Sequence, residues 1–165
     1  MSGLLLHFDD EAGSAGRLAA ATNLASACIA RHRFPDGELK LTLPAYLPER
    51  VVLLRSLDQP NEKLVELLLS VQTARQTGAR HLTLVAPYLA YMRQDIAFHP
   101  GEAVSQQVVG RFLAELFDSV ITVDPHLHRV VTLGEAVPVA QPVVVSPDAT
   151  TSAPAAPGPR GGLVP

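Results

Sequence analysis

The chain has 165 residues, 47% of them apolar and 18% charged, the balance of a folded protein with a buried core rather than of a disordered one. A net charge of −3 supplies no basic field for nucleic acid, and a single cysteine, Cys28, excludes an internal disulfide and any multi-cysteine zinc knuckle. No basic leader precedes Leu4-Leu5-Leu6, and no stretch reaches the ~18–20 apolar residues that cross a bilayer, so the expected setting is cytoplasmic, with neither membrane nor nucleic acid as partner.

In chain order, Leu4 to Phe8 reads as a short strand. Asp9-Asp10-Glu11 then favours a helix start through the dipole. Apolar residues at helical spacing (Leu18, Ala21, Ala25, Cys28) predict a helix over Arg17 to Ile29, with Cys28 as inert core on its inner face. Arg33 to Glu38 contains Pro35-Asp36-Gly37, a turn signal, and Leu39, Leu41 and Leu43 follow with the period of a strand. Val51 to Leu54 is a continuous apolar run, as in a strand covered on both faces. Asn61 to Thr77 is the clearest helix, with Leu64, Leu67, Leu68, Val71 and Ala74 as its stripe and Gly78 as its cap. His81 to Ala86 is a strand stopped by Pro87. Ser105 to Phe117 is a helix whose inner face is Val108, Val109, Phe112, Leu113 and Leu116, and Ser119 to Val123 is a further strand. Alternating strands and helices at this spacing predict parallel βαβ units, hence an open parallel sheet with helices on both faces, an α/β fold of Rossmann-like kind. Val143 to Val145 reads as one more strand. The last 20 residues hold 5 prolines, 3 glycines and 4 alanines without periodicity, so residues 1–145 are expected to be the domain and 146–165 a disordered tail.

Ligands of such sheets sit beyond the carboxyl ends of the strands. Three segments leave those ends: Ser56 to Asn61, Pro87 to Glu102, and Asp124 to Arg129. Asp124, His126 and His128 would share one face of an extended segment, which makes either a metal site or an ordinary polar loop. Arg93, with Gln94 and Asp95, lies in the long second segment. Its planar guanidinium suits phosphate oxygens, or else pairs with Asp95 or Glu102. Phe34, directly before Pro35-Asp36-Gly37 with the carboxylates of Asp36 and Glu38 following it, is either a plain turn residue or a platform for a base.

Four motifs in order carry a resemblance: RFPDGE (Arg33 to Glu38), NEKLVELLL (Asn61 to Leu69), YMRQD (Tyr91 to Asp95) with PGEAVS (Pro100 to Ser105), and VDPHLHR (Val123 to Arg129). The series, from about Leu4 to Val145, resembles the amino-terminal domain of ribose-phosphate pyrophosphokinases, whose fold is phosphoribosyltransferase-like. The resemblance implies transfer of the diphosphoryl group of ATP to the C1 hydroxyl of ribose 5-phosphate with Mg2+. It implies that Arg93 and Gln94 hold the ATP phosphates and ribose, and that His126 helps to hold the magnesium. Phe34, Asp36 and Glu38 would form the adenine pocket of a neighbouring subunit, so a homo-oligomer is expected. The motif loop departs from the family at Ile96-Ala97-Phe98-His99, and Pro125 replaces a common leucine.

Family members carry a second, similar domain with the acidic loop that cradles the ribose phosphate. The resemblance therefore implies ATP binding here, ribose 5-phosphate binding only where a second domain is present, and no catalytic residue or activity in this stretch alone. A truncation or frame shift near Ser146 would account for the change of composition there. Two other classes compete: a non-catalytic protein that associates with active synthetases, and an unrelated phosphohydrolase whose metal is held by Asp124, His126 and His128.

Overall fold

The computed structural model describes residues 3–123, together with 134 and 137. In chain order the elements are β1 (Gly3–His7), a 3-10 turn (Asp9–Glu11), α1 (Ala12–Thr22), β2 (Ala25–Cys28), β3 (Ala30–Arg33) and β4 (Leu39–Thr42). They continue with β5 (Arg50–Leu54), α2 (Pro60–Gln76), β6 (His81–Ala86), α3 (Ser105–Leu116) and β7 (Ser119–Thr122). Five strands form one sheet in the order β2-β1-β5-β6-β7, every neighbouring pair parallel, and β3 and β4 form a separate antiparallel hairpin.

Side chains alternate across a strand, and here both faces are apolar. Leu6, Leu53, Leu82, Leu84 and Val120 pack on one face under Leu67 and Val71 of α2 and Leu113 and Leu116 of α3. Leu5 and Leu54 point to the other face and meet Ala15 of α1. Helices thus cover both faces, as the βαβ pattern predicts. No helix among the described residues is long and apolar enough to cross a membrane.

Two expectations need correction. The helix predicted over Arg17 to Ile29 ends at Thr22, where Asn23 turns left-handed at φ 56° and the Leu24 N–H reaches back to the Ala19 carbonyl at 3.1 Å. Ala25 to Cys28 then pairs with Leu4 to His7 as an edge strand. Small residues at alternate positions fit a sheet edge as well as a helix face, and parallel pairing with β1 decides between them. Cys28 is accordingly exposed on that edge, not core.

The second correction concerns helix faces. In α2 the buried residues are Glu66, Leu67, Ser70, Val71 and Ala74, with Leu68 38% exposed. In α3 they are Gln106, Val109, Gly110, Leu113 and Leu116, with Val108 63% exposed. The predicted faces hold at Leu67, Val71 and Ala74 of α2 and at Val109, Leu113 and Leu116 of α3, and Leu64 and Phe112 pack half-buried against the same core. Leu68 and Val108 do not: they turn outward and, with Leu64 and Phe112, line an outer apolar groove of about 330 Å3 between the two helices. The expected strand at Val143 to Val145, the domain limit near 145 and the 146–165 tail lie outside the described residues.

Candidate functional site

The carboxyl ends of β5 and β6 lead into the segments that precede α2 and α3. Between them opens a cleft of about 450 Å3, lined by Asp58, Gln59, Asn61, Tyr88, Tyr91 and Arg93. Two of these residues hold left-handed backbone without being glycine, Gln59 at φ 49° and Tyr91 at φ 63°. Such conformations cost about 1–3 kcal/mol each and collect at ligand sites. The Tyr91 hydroxyl donates to Asn61 Oδ1, tying the loop after β6 to the first turn of α2. That first turn has no side-chain cap, and its first residues, Pro60 and Asn61, line the cleft, so the positive end of the helix dipole lies beside it. Arg93 is exposed and forms no ion pair among the described residues, because Glu102, a candidate partner, is taken by His99 (2.6 Å) and the Phe98 N–H (2.7 Å). Gln94 lies beside it, its amide donating to the Ile96 carbonyl at 2.9 Å, and its own carbonyl receives the Gln106 N–H at 3.1 Å near the start of α3. The Arg93 guanidinium, unpaired among the described residues, and an uncapped helix start border one opening, whose Asp58 carboxylate is paired with Lys63 at 2.8 Å, a setting for phosphate oxygens.

Phe34, Asp36 and Glu38 lie at the tip of the β3–β4 hairpin. Gly37 takes φ 94°, which favours glycine. Asp36 Oδ1 accepts the Glu38 N–H at 3.1 Å, and the Phe34 N–H meets the Glu38 carbonyl at 2.9 Å. The turn reading is therefore right, and it leaves Phe34 40% exposed with the His32 ring edge-on at 4.8 Å. Glu38 borders a second cleft of about 450 Å3 with Arg33, Gly37, Leu39, Glu62 and Val65. Of the sequence-predicted residues, Arg93 borders the first cleft and, with Gln94, an adjoining one, while Glu38 borders the second. His126, with Asp124 and His128, lies outside the described residues, and among the described residues no three metal-ligating side chains converge.

Sequence reasoning missed a buried ionic network beside these clefts. Arg55, at the end of β5, is 1% exposed and Glu66 of α2 is fully buried. Arg55 Nη1 donates to both Asp10 oxygens at 2.8 and 2.9 Å, while Nη2 stands 2.5 Å from Glu66 Oε2 as an ion pair. The Arg31 guanidinium reaches the other Glu66 oxygen at 2.5 Å and Asp9 at 3.0 Å. Both guanidiniums lie over the Phe8 ring, at 4.5 Å for Arg55 and 5.5 Å for Arg31. Glu11 accepts the Ser56 N–H at 2.6 Å. The only sequence signal was an arginine directly after an apolar strand and a glutamate inside an apolar stripe.

The charges set the acid behaviour. Burial raises the Asp10 carboxyl, but the Arg55 hydrogen bond and the charges of Arg55 and Arg31 outweigh it and leave it below its ordinary value. Burial pushes the Glu11 carboxyl up, against the Ser56 N–H and Arg55. A depressed carboxyl adds stability that is present above its unfolded pKa and lost as pH falls through the folded one, below about pH 4. A raised one works the other way, its contribution being lost as pH rises. Urea melts should therefore show the Asp10→Asn variant losing less stability between pH 7 and pH 3 than the parent does. An equal loss in both would remove Asp10 from the acid transition.

Comparison with known proteins gives one consistent family. The family profile for the N-terminal domain of ribose phosphate pyrophosphokinase matches residues 5–116. The ribose-phosphate pyrophosphokinase of Methanopyrus kandleri is 40% identical over 111 residues, covering 67% of this chain and 38% of that one. That of Halobacterium salinarum is 37% identical over 124 residues, covering 74% of this chain and 44% of that one. The chain therefore spans less than half the length of these relatives. Among solved structures, phosphoribosylpyrophosphate synthetase from Mycobacterium smegmatis superimposes with a TM-score of 0.74 at 20% identity, covering 85% of this chain and 47% of that one.

Proposed function

Because the chain belongs to the ribose-phosphate pyrophosphokinase family through its N-terminal domain, we propose that it provides the nucleotide-holding part of a ribose-phosphate diphosphokinase, which moves the diphosphoryl group of ATP to the C1 hydroxyl of ribose 5-phosphate. The observation that carries this reading is the cleft beyond β5 and β6, where Arg93 and the uncapped start of α2 meet. Phosphoryl transfer is mostly positioning and charge neutralisation, and these groups supply both for an anion. Arg93 would grip phosphate oxygens with its planar fork. Gln94 would exchange its bond to the Ile96 carbonyl for one to the nucleotide.

Magnesium would arrive on the phosphates. The ion prefers oxygen ligands and keeps several waters, so it needs few bonds from the chain; by resemblance one would come from His126. It would neutralise charge on the phosphates during transfer. Phe34, exposed at the hairpin tip, would stack on adenine, with Asp36 and Glu38 as acceptors for its amino group. Since Glu38 and Arg93 border different clefts, the hairpin would serve the site of a second copy. The apolar groove between α2 and α3 is further surface that suits assembly. A cytoplasmic setting goes with this chemistry.

The Arg93→Ala variant tests the reading. Loss of one charged hydrogen-bonding group should weaken Mg·ATP binding about 10–100-fold, measured by calorimetry. The melting temperature should stay constant, since Arg93 is exposed and makes no ion pair among the described residues. Unchanged affinity would mean that the cleft does not hold the phosphates.

A further inference from the structure

The hairpin that bears Phe34 is not part of the main sheet, so something other than a strand ladder must fix its attitude. Its β3 strand places Arg31 and Arg33 two residues apart, on one face. Helix α2 places Glu62 and Glu66 four residues apart, also on one face. The spacings match: two residues of strand rise ~6.6–6.8 Å, and four residues of helix rise ~6 Å. The pairs are made in register. Arg33 bonds Glu62, and Arg31 bonds Glu66. Leu39 and Leu41 are the cross-strand partners of Arg33 and Arg31, so they share that face, and Leu41 packs on the core. The opposite face carries His32 and Phe34, whose rings touch.

We propose that Arg31 and Arg33 of β3 and Glu66 and Glu62 of α2 form a two-rung charge ladder that sets the angle of the hairpin, making the two glutamates positioning residues for adenine-nucleotide binding. The two rungs differ in kind. Glu66 is fully buried and shared with Arg55, so it anchors the base of the hairpin to the end of β5. Arg33 and Glu62 are 55% and 39% exposed, so this outer rung trims the angle next to the tip. The inner rung and the packing of Leu41 and Leu43 hold the base of the hairpin, and the outer rung fixes the direction of its tip. This rests on the reading of Phe34, Asp36 and Glu38 as nucleotide contacts.

The test uses the full chain and three readouts. Hydrogen exchange at the Phe34 and Gly37 amides, both bonded within the turn, reports hairpin order. Calorimetry with Mg·ATP reports affinity, and thermal unfolding reports fold. Glu62→Gln should speed exchange at the tip and weaken Mg·ATP about two- to fivefold, the range open to an exposed pair, with unfolding unmoved. Glu66→Gln should have the larger effect on both. The swap of Arg33→Glu with Glu62→Arg should restore exchange and affinity together, which a merely structural role would not do for affinity. Unchanged tip exchange in both glutamate variants overturns the ladder, as does faster exchange with full affinity while Phe34→Ala loses affinity. Should Phe34→Ala itself bind Mg·ATP normally, the nucleotide role of the hairpin is what fails, and the ladder as an angle-setting device is then judged on exchange alone.

Discussion

Replacing Glu66 by alanine is expected to lower the free energy of unfolding by about 3–5 kcal/mol. The carboxylate is fully buried and stands between two guanidiniums, 2.5 Å from an Nη atom of each. Removing it leaves positive charge in a place that water does not reach. The two arginines do not suffer equally. Arg31 is 24% exposed and keeps Asp9 at 3.0 Å, so it can turn outward to solvent. Arg55 is 1% exposed, stacked on Phe8 and held by Asp10, so it stays where it is and carries most of the penalty. Two companions separate charge from volume. Glu66→Gln keeps the shape and one acceptor and should cost less than the alanine. Replacing Glu66 and Arg55 together by leucine and methionine should come out near neutral, or even more stable, because the desolvation of both ions is removed along with their attraction. Urea denaturation followed by circular dichroism measures all three. A loss under 1 kcal/mol for Glu66→Ala would show that Asp10 and Glu11 suffice to neutralise Arg55.

The middle of the sheet was readable from apolar runs between turn signals. Val51 to Leu54 has neighbours on both sides and helices on both faces, so no polar alternation blurs it, while His81 to Ala86 keeps His81 and Thr83 but ends sharply at Pro87. The hairpin was readable from Pro35-Asp36-Gly37, where the turn chemistry is local. What failed was the edge of each helix face. Leu68 and Val108 look like core because they are apolar, yet they line an outer groove, while Glu66 looks like surface and is buried. The reason is long-range: the partners of Glu66 lie on β3 and at the end of β5, and the contact between Arg31 and Glu66 spans 35 positions. No window of local periodicity contains it. The same holds for β2, where helical spacing and edge-strand spacing coincide and pairing with β1 decides.

The candidate site divides along the same line. That Arg93 borders a cleft beyond the strand ends follows from its place after a strand, which needs no side-chain geometry. The left-handed turns at Gln59 and Tyr91 could not be found so, because neither residue type announces positive φ. They flank the tie between Tyr91 and Asn61, which joins the loop after β6 to the first turn of α2 across 30 positions.

Expressed by themselves, these 165 residues are expected to bind Mg·ATP and yet form no measurable phosphoribosyl diphosphate from ATP and ribose 5-phosphate. The described clefts offer cationic and N–H donors around Arg93 for one polyanion. The other strand ends are committed: Asp9, Asp10 and Glu11 beyond β1, with Arg55 beyond β5, neutralise one another or Arg31 and Glu66. Among the described residues, those two strand ends leave no unpaired guanidinium to hold the sugar phosphate opposite the nucleotide. The reaction is bimolecular, and holding both partners in line is worth about 7–11 kcal/mol of its barrier. Without that, the rate falls by about 10⁵–10⁸, from an ordinary 1–100 s⁻¹ for such transfers to below detection. Relatives are more than twice as long as this chain's matched share, 38% and 44% of their length being covered, which leaves ample sequence in them for a sugar-phosphate site. The assay is formation of AMP and phosphoribosyl diphosphate together, run beside calorimetry of nucleotide binding. Binding without product is the expected pair of results; product at an ordinary rate would place a complete site within these residues.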